Sequence, residues 1–391
     1  MKTRYTIFSL LIVLGMLLSA CGPAAPPTAA PATQPPAQAA SPVPGVDPKA
    51  ALAELEGKVF STGPNGETPT AASEVTLTDA EIEQIKALKA TAAIVMHFGG
   101  NDWSVAQIDG LKFQFEKMGI EVIATTDAGF KPEKQVSDIE TVLARNPNII
   151  VSIPTDPVAT ADAYKKAAAA GVKIVFMDNV PVGLEQGTDY VSVVSADNFG
   201  NGVAAAHIMA DELGGKGKIG IVFHAADFFV TRQRYDAFKK TIQDNYPDIQ
   251  IVEEQGIGGP DFAGDAEKVA SAMLTKHADL NGIWAVWDVP AEGAVAAIRS
   301  AGRSEVIVTT IDLGKTVAVA IAKGDIVRGL GAQRPFDQGV TEALLAGYGL
   351  LGKKAPAYVA LNALPVTKEN VAQAWTTVYH QAPPPELGPA P

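Results

Sequence analysis

Cysteine is nearly absent from this 391-residue chain, which carries a single one, Cys21. A lone cysteine cannot form a disulfide bond within the chain, so the fold must be held together by its hydrophobic core. The composition allows this, because 47% of the residues are hydrophobic and the length suffices for two domains of ordinary size.

The chain also lacks the short motifs that carry common enzymatic chemistry. Its five histidines are scattered, with no H-E-x-x-H or paired metal-ligand spacing, and neither a G-x-S-x-G elbow nor a G-x-x-x-x-G-K-[ST] loop is present. The segment GKGKIG (215–220) matches the dinucleotide fingerprint, but it follows a predicted helix and precedes a predicted strand, the reverse of the required order. We therefore interpret it as a helix end and a turn, and we predict no enzyme, no cofactor and no metal.

Basic residues are too few for a nucleic-acid-binding protein. The chain has 31 Lys and Arg against 43 Asp and Glu, which gives a formal net charge of −12. Because phosphate backbones require a basic surface, nucleic acid is excluded as a partner.

The first twenty residues are typical of an export signal. The positive start MKTR precedes the apolar run IFSLLIVLGMLL, which is too short to span a membrane. The following LSAC resembles the bacterial lipobox, in which the cysteine is acylated and becomes the mature N-terminus. We predict that Cys21 is acylated; the alternative is a plain cleaved signal with an incidental cysteine.

Residues 21–48 are predicted to form a tether, because their Pro, Ala, Thr, Gln and Ser cannot bury a core. Such a tether would hold a globular body away from the membrane in which Cys21 is fixed. Residues 49–90 then form an N-terminal extension, with helices predicted in AALAELEGKVF and TDAEIEQIKALKA, and residues 381–391 form a proline-rich tail.

From residue 92 onward, apolar strands alternate with helices in two successive rounds. Strands are predicted at 92–96, 121–125, 149–153, 173–177 and 190–195, and then at 218–223, 250–254, 282–286 and 306–311. Helices are predicted between them at 104–118, 133–146, 157–170, 198–213, 232–245, 263–277 and 290–301. This alternation indicates right-handed βαβ units, so the predicted fold class is α/β with two doubly wound parallel-sheet lobes.

Polar and aromatic side chains follow the predicted strands, at the edge where open α/β sheets bind ligands. Each hydroxyl of a sugar both donates and accepts hydrogen bonds, while the C–H face of the ring packs on an aromatic side chain. The strand ends supply both kinds of group, and we predict a sugar or polyol as the ligand of Asn101, Trp103, Asp178, Asn179, Arg234, Phe262, Trp287, Asp312 and Gln333.

Helix capping is the alternative for several polar residues, because they stand at turns that lead into helices. It applies to Asn101, Asp178, Asp197, Asn198 and Asp312, and for Asn198 we prefer the cap.

Other side chains have different structural alternatives. Arg234 could merely pair with Asp236 or Asp227 on the surface, and for Trp284 and Phe176 we prefer core packing over ligand contact.

Residues 92–350 resemble the periplasmic sugar-binding proteins of the ribose-binding type, the ligand-capture subunits of ABC importers. The motifs that carry the resemblance are the N-x-W segment 101–103, SIPTD (152–156), FMDN (176–179), SADNFGNGVAAA (195–206), R-x-x-x-F (234–238), TTIDLG (309–314) and GAQRP (331–335). The resemblance implies two lobes that close on a sugar, joined by crossings near residues 196, 332 and 355. Lobe 1 would comprise 91–196 and 334–355, and lobe 2 would comprise 197–333 and 356–380.

The resemblance also implies which residues contact the sugar, namely Asn101, Trp103, Asp178, Arg234, Asp312 and Gln333, with Phe262 as the second aromatic face. Three positions depart from the ribose binders. Ile153 and Trp287 stand where those proteins commonly carry Asn, and Asn179 stands where they often carry Arg. Fewer polar groups and an added indole argue against ribose itself.

The preferred function is a lipid-anchored, extracytoplasmic and monomeric capture protein that delivers a sugar or polyol to an ABC permease. A sensor that presents its ligand to a membrane receptor is one alternative, and an exported carbohydrate-active enzyme with Asp178 and Asp312 as its acid–base pair is another. Sugar-responsive repressors of similar fold carry an N-terminal DNA-binding domain. This chain has a signal and a tether at that position, so a repressor is excluded.

Overall fold

The computed structural model describes residues 46–388, whose strands form two separate sheets. The predicted signal peptide, Cys21, most of the predicted tether and the end of the tail lie outside this range. The strands are β1 Thr70–Ala71, β2 Thr91–Met96, β3 Glu121–Asp127, β4 Ile149–Ser152, β5 Lys173–Met177, β6 Ser192–Ala196, β7 Gly217–His224, β8 Ile249–Ile257, β9 Gly282–Ala285, β10 Ile307–Ile311, β11 Val327–Ala332, β12 Tyr358–Leu361 and β13 Leu364–Thr367.

Helices cover both sheets. They are α1 Pro48–Ala53, α2 Asp79–Leu88, α3 Asp102–Lys117, α4 Pro132–Leu143, α5 Ala161–Ala169, α6 Asn198–Glu212, α7 Phe229–Asn245, α8 Phe262–Lys276, α9 Asp288–Ser300, α10 Lys315–Lys323, α11 Pro335–Leu351 and α12 Val371–Tyr379. Within residues 46–388, none of them is both long and apolar enough to cross a membrane.

Lobe 1 is built on a seven-stranded sheet in the order β1-β12-β6-β5-β4-β2-β3, with every pair parallel. Its central strands are continuous apolar runs because helices cover both faces. Side chains of α3 and α11 pack on one face, and those of α4 and α5 pack on the other. Phe176 is fully buried against Tyr164 and Tyr190, which confirms its interpretation as a core residue.

Lobe 2 is built on a six-stranded sheet in the order β13-β11-β10-β9-β7-β8. It is parallel except for β13, which runs antiparallel to β11. Side chains of α6 and α7 pack on one face, and those of α8, α9, α10 and α12 pack on the other. Trp284 is fully buried and stacks on Phe238 with ring centroids 4.8 Å apart, so it too is a core residue, as expected. The predicted α/β class with two doubly wound lobes is confirmed.

Three crossings connect the lobes, and the third one does not lie where the sequence predicted it. β12 pairs in parallel with β6 in the sheet of lobe 1, and only β13 joins lobe 2. The chain therefore crosses at residues 362–363 rather than near 355, and residues 356–361 belong to lobe 1. The crossings lie side by side, because the backbone N of Asp197 donates to the carbonyl of Leu361 at 2.7 Å and the Arg334 guanidinium donates to Asn362.

The N-terminal extension contacts both lobes. At its start, α1 packs on α6 of lobe 2, whereas β1 adds an edge strand beside β12 of lobe 1 and α2 packs on α11. Between these elements, the backbone N atoms of Phe60 and Ser61 donate to the Asp197 carboxylate at 2.9 and 2.8 Å. The first predicted helix is shorter than expected, because α1 ends at Ala53 and the following turn contains Gly57 with φ +69°.

The segment GKGKIG begins in the turn that ends α6, as predicted, and its last four residues already belong to β7. Gly214 and Gly215 follow α6 with φ values of +61° and +75°, and β7 begins at Gly217. Glycine adopts this left-handed region without steric cost and so ends the helix.

Candidate functional site

Arg234 lies on α7 and is only 4% exposed, in the space where the two lobes meet. Its Nε donates to Asn198 Oδ1 at 2.8 Å, and its Nη1 donates to Asp312 Oδ2 at 3.1 Å. The nearby Arg232 is the residue that pairs with Asp227 on the surface, at 2.9 Å. The alternative of surface pairing for Arg234 is therefore wrong.

A continuous chain of hydrogen bonds, here called the cleft network, joins six buried polar residues of both lobes: Asp178, Ser195, Asn198, Arg234, Asp312 and Gln333. At the lobe 2 end, Gln333 Nε2 donates to Asp312 Oδ1 at 2.7 Å. At the lobe 1 end, Asn198 Nδ2 donates to Ser195 Oγ at 3.0 Å, and Ser195 Oγ donates to Asp178 Oδ1 at 2.6 Å. Arg234 connects the two ends through Asn198 and Asp312.

The cleft network has more hydrogen-bond acceptors than its own donors satisfy. Burial raises the pKa of Asp178 to about 6; the Ser195 hydroxyl and Arg234 act to lower it, and Asp312 acts to raise it. Gln333 Oε1 is buried and has no partner among the described residues. A buried acceptor without a donor is unfavourable, so a ligand that brings hydroxyl groups would stabilise this site.

The backbones of Asp178 and Asp312 are both left-handed, with φ values of +56° and +71°. Neither residue caps a helix, since β6 is the next element after Asp178, and Gly314 is the N-cap of α10. The capping alternative is therefore wrong for both aspartates. Left-handed backbone at non-glycine residues is uncommon and concentrates at binding sites.

Asp197, not Asn198, caps α6. The Asp197 carboxylate accepts the backbone N–H of Gly200 at 2.9 Å, whereas Asn198 is the first helical residue and directs its side chain to Arg234 and Ser195. The preferred cap at Asn198 is thus wrong by one position. The residue instead takes part in the cleft network.

Asn101 is the N-cap of α3, where its Oδ1 accepts the backbone N–H of Ser104 at 2.9 Å. Trp103 lies on the same helix and packs into the core of lobe 1, with 9% of its surface exposed. Its ring is edge-on to His97 at 6.1 Å, and its Nε1 has no partner within the described range. Asn179 is buried beside Asp178. No hydrogen bond within residues 46–388 links these three side chains to the cleft network, so their contact with a ligand stays a prediction.

Phe262 and Trp287, predicted from different strand ends, lie together in lobe 2. Their rings meet edge to face at 4.9 Å, and His224 lies 5.5 Å from each. Phe130 of lobe 1 is edge-on to Phe262 at 5.6 Å. The sequence interpretation missed His224 and Phe130, although His224 ends β7 and Phe130 follows β3, so the strand-end rule would have found both. Burial lowers the pKa of His224, which favours its neutral form.

Two lobes with mainly parallel sheets, three adjacent crossings and a polar network between the lobes are the features of a hinged binding protein. Residues 92–354 match the sequence model of a family described as "Periplasmic binding protein domain". The chain belongs to this family.

Individual members of the periplasmic binding protein family are similar over most of their length. The ribose import binding protein RbsB of Bacillus subtilis is 30% identical over 257 residues, which cover 65% of this chain and 79% of that protein. The D-apiose import binding protein of Paraburkholderia graminis is 27% identical, over 60% of this chain and 73% of that protein. A solved structure of an ABC transporter periplasmic solute binding protein from Actinobacillus succinogenes, with bound D-allose, has a TM-score of 0.66 and 25% identity and covers 73% of this chain and 100% of that one. The resemblance to ribose-type sugar-binding proteins is confirmed.

Proposed function

We propose that this periplasmic binding protein captures a neutral sugar or sugar alcohol between its lobes and delivers it to an ABC importer. The observation that carries the proposal is the cleft network, in which buried acceptors and the Arg234 donors from both lobes converge. A neutral ligand suits this site, because Arg234 already pairs with Asp312 while the Asp178 carboxyl would repel an added negative charge. The relatives named for ribose and D-apiose and the solved structure with bound D-allose support the same class of ligand.

Each proposed site residue has a chemical role in this scheme. The carboxylates of Asp178 and Asp312 accept hydrogen bonds from ligand hydroxyl groups, and Arg234 and Gln333 offer donors beside them. Asn101 and Asn179 add amide groups from lobe 1. The C–H faces of the ligand pack on aromatic rings from both lobes, namely Trp103, Phe262 and Trp287.

Calorimetry and thermal unfolding with D-ribose, D-apiose, D-allose and ribitol test this proposal. At a hundredfold excess over Kd, a ligand that binds only the folded state stabilises it by about 2.7 kcal/mol, so Tm rises. D-ribose 5-phosphate is the matched anionic control, and we expect no binding. Binding of the phosphate in preference to the neutral sugars would contradict the proposal, and conversion of a bound sugar to a product would favour the carbohydrate-active enzyme.

We also propose that the mature protein begins at an acylated Cys21 and acts as an extracytoplasmic monomer tethered to the membrane. The lipobox-like LSAC and the Pro/Ala-rich segment behind it support this proposal. Mass spectrometry of the protein purified from its native membrane should find a lipid-modified N-terminal cysteine. An unmodified or differently cleaved N-terminus would contradict it.

A further inference from the structure

Several contacts join the lobes without belonging to the cleft network, among them that of Asp337 with His380 at 2.8 Å, and two of them lie beside proposed ligand residues. One is the edge-to-face pair of Phe130 and Phe262. The other is a hydrogen bond in which the backbone N of Lys315, in lobe 2, donates to Asp102 Oδ2, in lobe 1, at 2.8 Å. Asp102 and Lys315 are 213 residues apart in the chain and are the first residues of α3 and α10.

No side chain of lobe 2 accepts a hydrogen bond from the N-terminus of α10 within residues 46–388, because the neighbouring Asp288 carboxyl accepts only from the Val289 N–H. The N-cap of α10 is Gly314, which has no side chain to accept the first N–H groups of the helix. A Cβ at this position would lie 2.1 Å from Oδ2 of the buried Asp288, so a capping side chain there would displace the Asp288 carboxyl. Asp102 fills this role from the other lobe, and its negative charge at a helix N-terminus is favourable in addition.

This hydrogen bond depends on the relative position of the lobes. Asp102 is held by α3, whose side chains form part of the core of lobe 1, whereas α10 packs in the core of lobe 2. A hinge rotation that opens the cleft separates the two helix N-termini and returns the Lys315 N–H to water. The contact therefore stabilises only the closed form.

We propose that Asp102 is a closure latch, a positioning residue that stabilises the closed lobes by capping α10 across the cleft and so slows the release of whatever ligand the cleft holds. Asp102 stands between the proposed ligand residues Asn101 and Trp103, but its carboxylate engages Lys315 and has no other hydrogen-bond partner within residues 46–388. The latch acts on the equilibrium between the open and closed arrangements of the lobes, not on recognition of the sugar.

Amide hydrogen exchange at Lys315, read by mass spectrometry or NMR both without ligand and with saturating D-ribose or D-allose, tests the latch directly, because the Lys315 N–H is protected only in the closed fraction of the molecules. The Asp102→Ala variant should exchange the Lys315 N–H faster than the wild type, and Asp102→Asn, which keeps an acceptor oxygen, should retain part of the protection. Glu116→Ala, an exposed acidic residue of the same helix, is the control for loss of charge and should match the wild type. Equal exchange in the wild type and Asp102→Ala, both without sugar and with it, would overturn the proposal.

Ligand kinetics with D-ribose and D-allose separate the latch from a sugar contact. A helix cap typically contributes a free energy that corresponds to about a fivefold change in an equilibrium constant. We therefore expect Asp102→Ala to release both sugars about fivefold faster with unchanged association rates. The ratio of the two affinities should stay constant, and a changed ratio would overturn the proposal by showing that Asp102 contacts the sugar. If neither sugar binds but the Lys315 exchange differs as expected, the latch stands and the proposed ligand class fails.

Discussion

Arg234 joins the two halves of the cleft network, and its planar guanidinium explains why no other residue type would serve there. Nε and Nη1 engage Asn198 and Asp312 at the same time, which requires a rigid fork of donors and a charge that persists at every physiological pH. A lysine at this position would keep the charge but could not donate hydrogen bonds in both directions at once.

We predict that Arg234→Ala lowers ligand affinity by roughly ten- to a hundredfold, because hydrogen bonds to charged groups contribute about 1.5–3 kcal/mol. The affinity of Arg234→Lys should fall between those of Arg234→Ala and the wild type. Arg232→Ala is the matched control, since Arg232 lies on the same helix and pairs only on the surface. Calorimetry with the tightest sugar from the binding screen measures all three, and wild-type affinity in Arg234→Ala would contradict the proposed site.

The raised pKa of Asp178 predicts a pH dependence of binding. A ligand hydroxyl that donates to Asp178 favours the ionised carboxylate, so binding weakens as the pH falls through the pKa of about 6 in the ligand-free cleft. Affinity should be constant above about pH 7 and fall by up to about tenfold for each pH unit below about 6. The buried His97 does not interfere, because burial lowers its pKa to about 4.

Calorimetry of the wild type and Asp178→Asn over this pH range measures the effect. The asparagine variant should bind more weakly at neutral pH and lose the part of the pH dependence that the Asp178 carboxyl causes. A wild-type affinity that does not change over this range would show that no ligand hydroxyl donates to Asp178.

At single positions, the sequence predicts which residues gather in the cleft better than it predicts what each one does. Asp178, Arg234, Asp312 and Gln333 were all proposed and all meet in the cleft network. The assignment of the α6 cap failed by one residue, because either Asp or Asn is a good cap and the choice depends on the backbone of the crossing.

At the scale of elements, the strands that form continuous apolar runs, such as β2 and β5, were predicted almost to the residue. The position of the third crossing was not predicted correctly, because β12 and β13 are short, apolar and separated by two residues. Which sheet a strand joins depends on partners far away in the chain. For β12 those partners are β6 and β1 of lobe 1, and no local pattern distinguishes them from β11 of lobe 2.

The Asp197 carboxylate caps α6 and also accepts two backbone N–H groups of the N-terminal extension. We predict that Asp197→Ala lowers the free energy of unfolding by about 2–4 kcal/mol. The substitution removes the cap of α6 and leaves the N–H groups of Phe60 and Ser61 without their acceptor. Asp261→Ala is the matched control. Asp261 caps α8 through one exposed hydrogen bond to Gly264, so its loss should cost only about 1 kcal/mol. Urea unfolding of both variants measures the difference, and equal losses would mean that the contacts with the extension contribute nothing.

For the whole molecule, we predict that ligand binding rotates the lobes as rigid bodies about the crossings at 196–197, 332–334 and 362–363. Each lobe has its own sheet, and apart from Ala106 of α3, which packs with lobe 2, the residues of each core cluster come from one lobe and its adjoining segments, so the rotation changes the interior of the lobes little. Small-angle X-ray scattering with saturating sugar should give a smaller radius of gyration than without it. Superimposable scattering curves would contradict the hinge.

The N-terminal extension has a consequence for how the chain behaves when it is shortened. The family match begins at residue 92, but β1 lies before it and pairs through Thr70 and Ala71 with β12. A chain that starts at residue 92 would leave the backbone N–H and C=O groups of β12 open along one side. Unpaired strand edges recruit other strands, so we expect this shortened chain to self-associate at concentrations where the full chain does not, as light scattering would detect. We therefore expect the extension to reduce edge-to-edge association of this sheet.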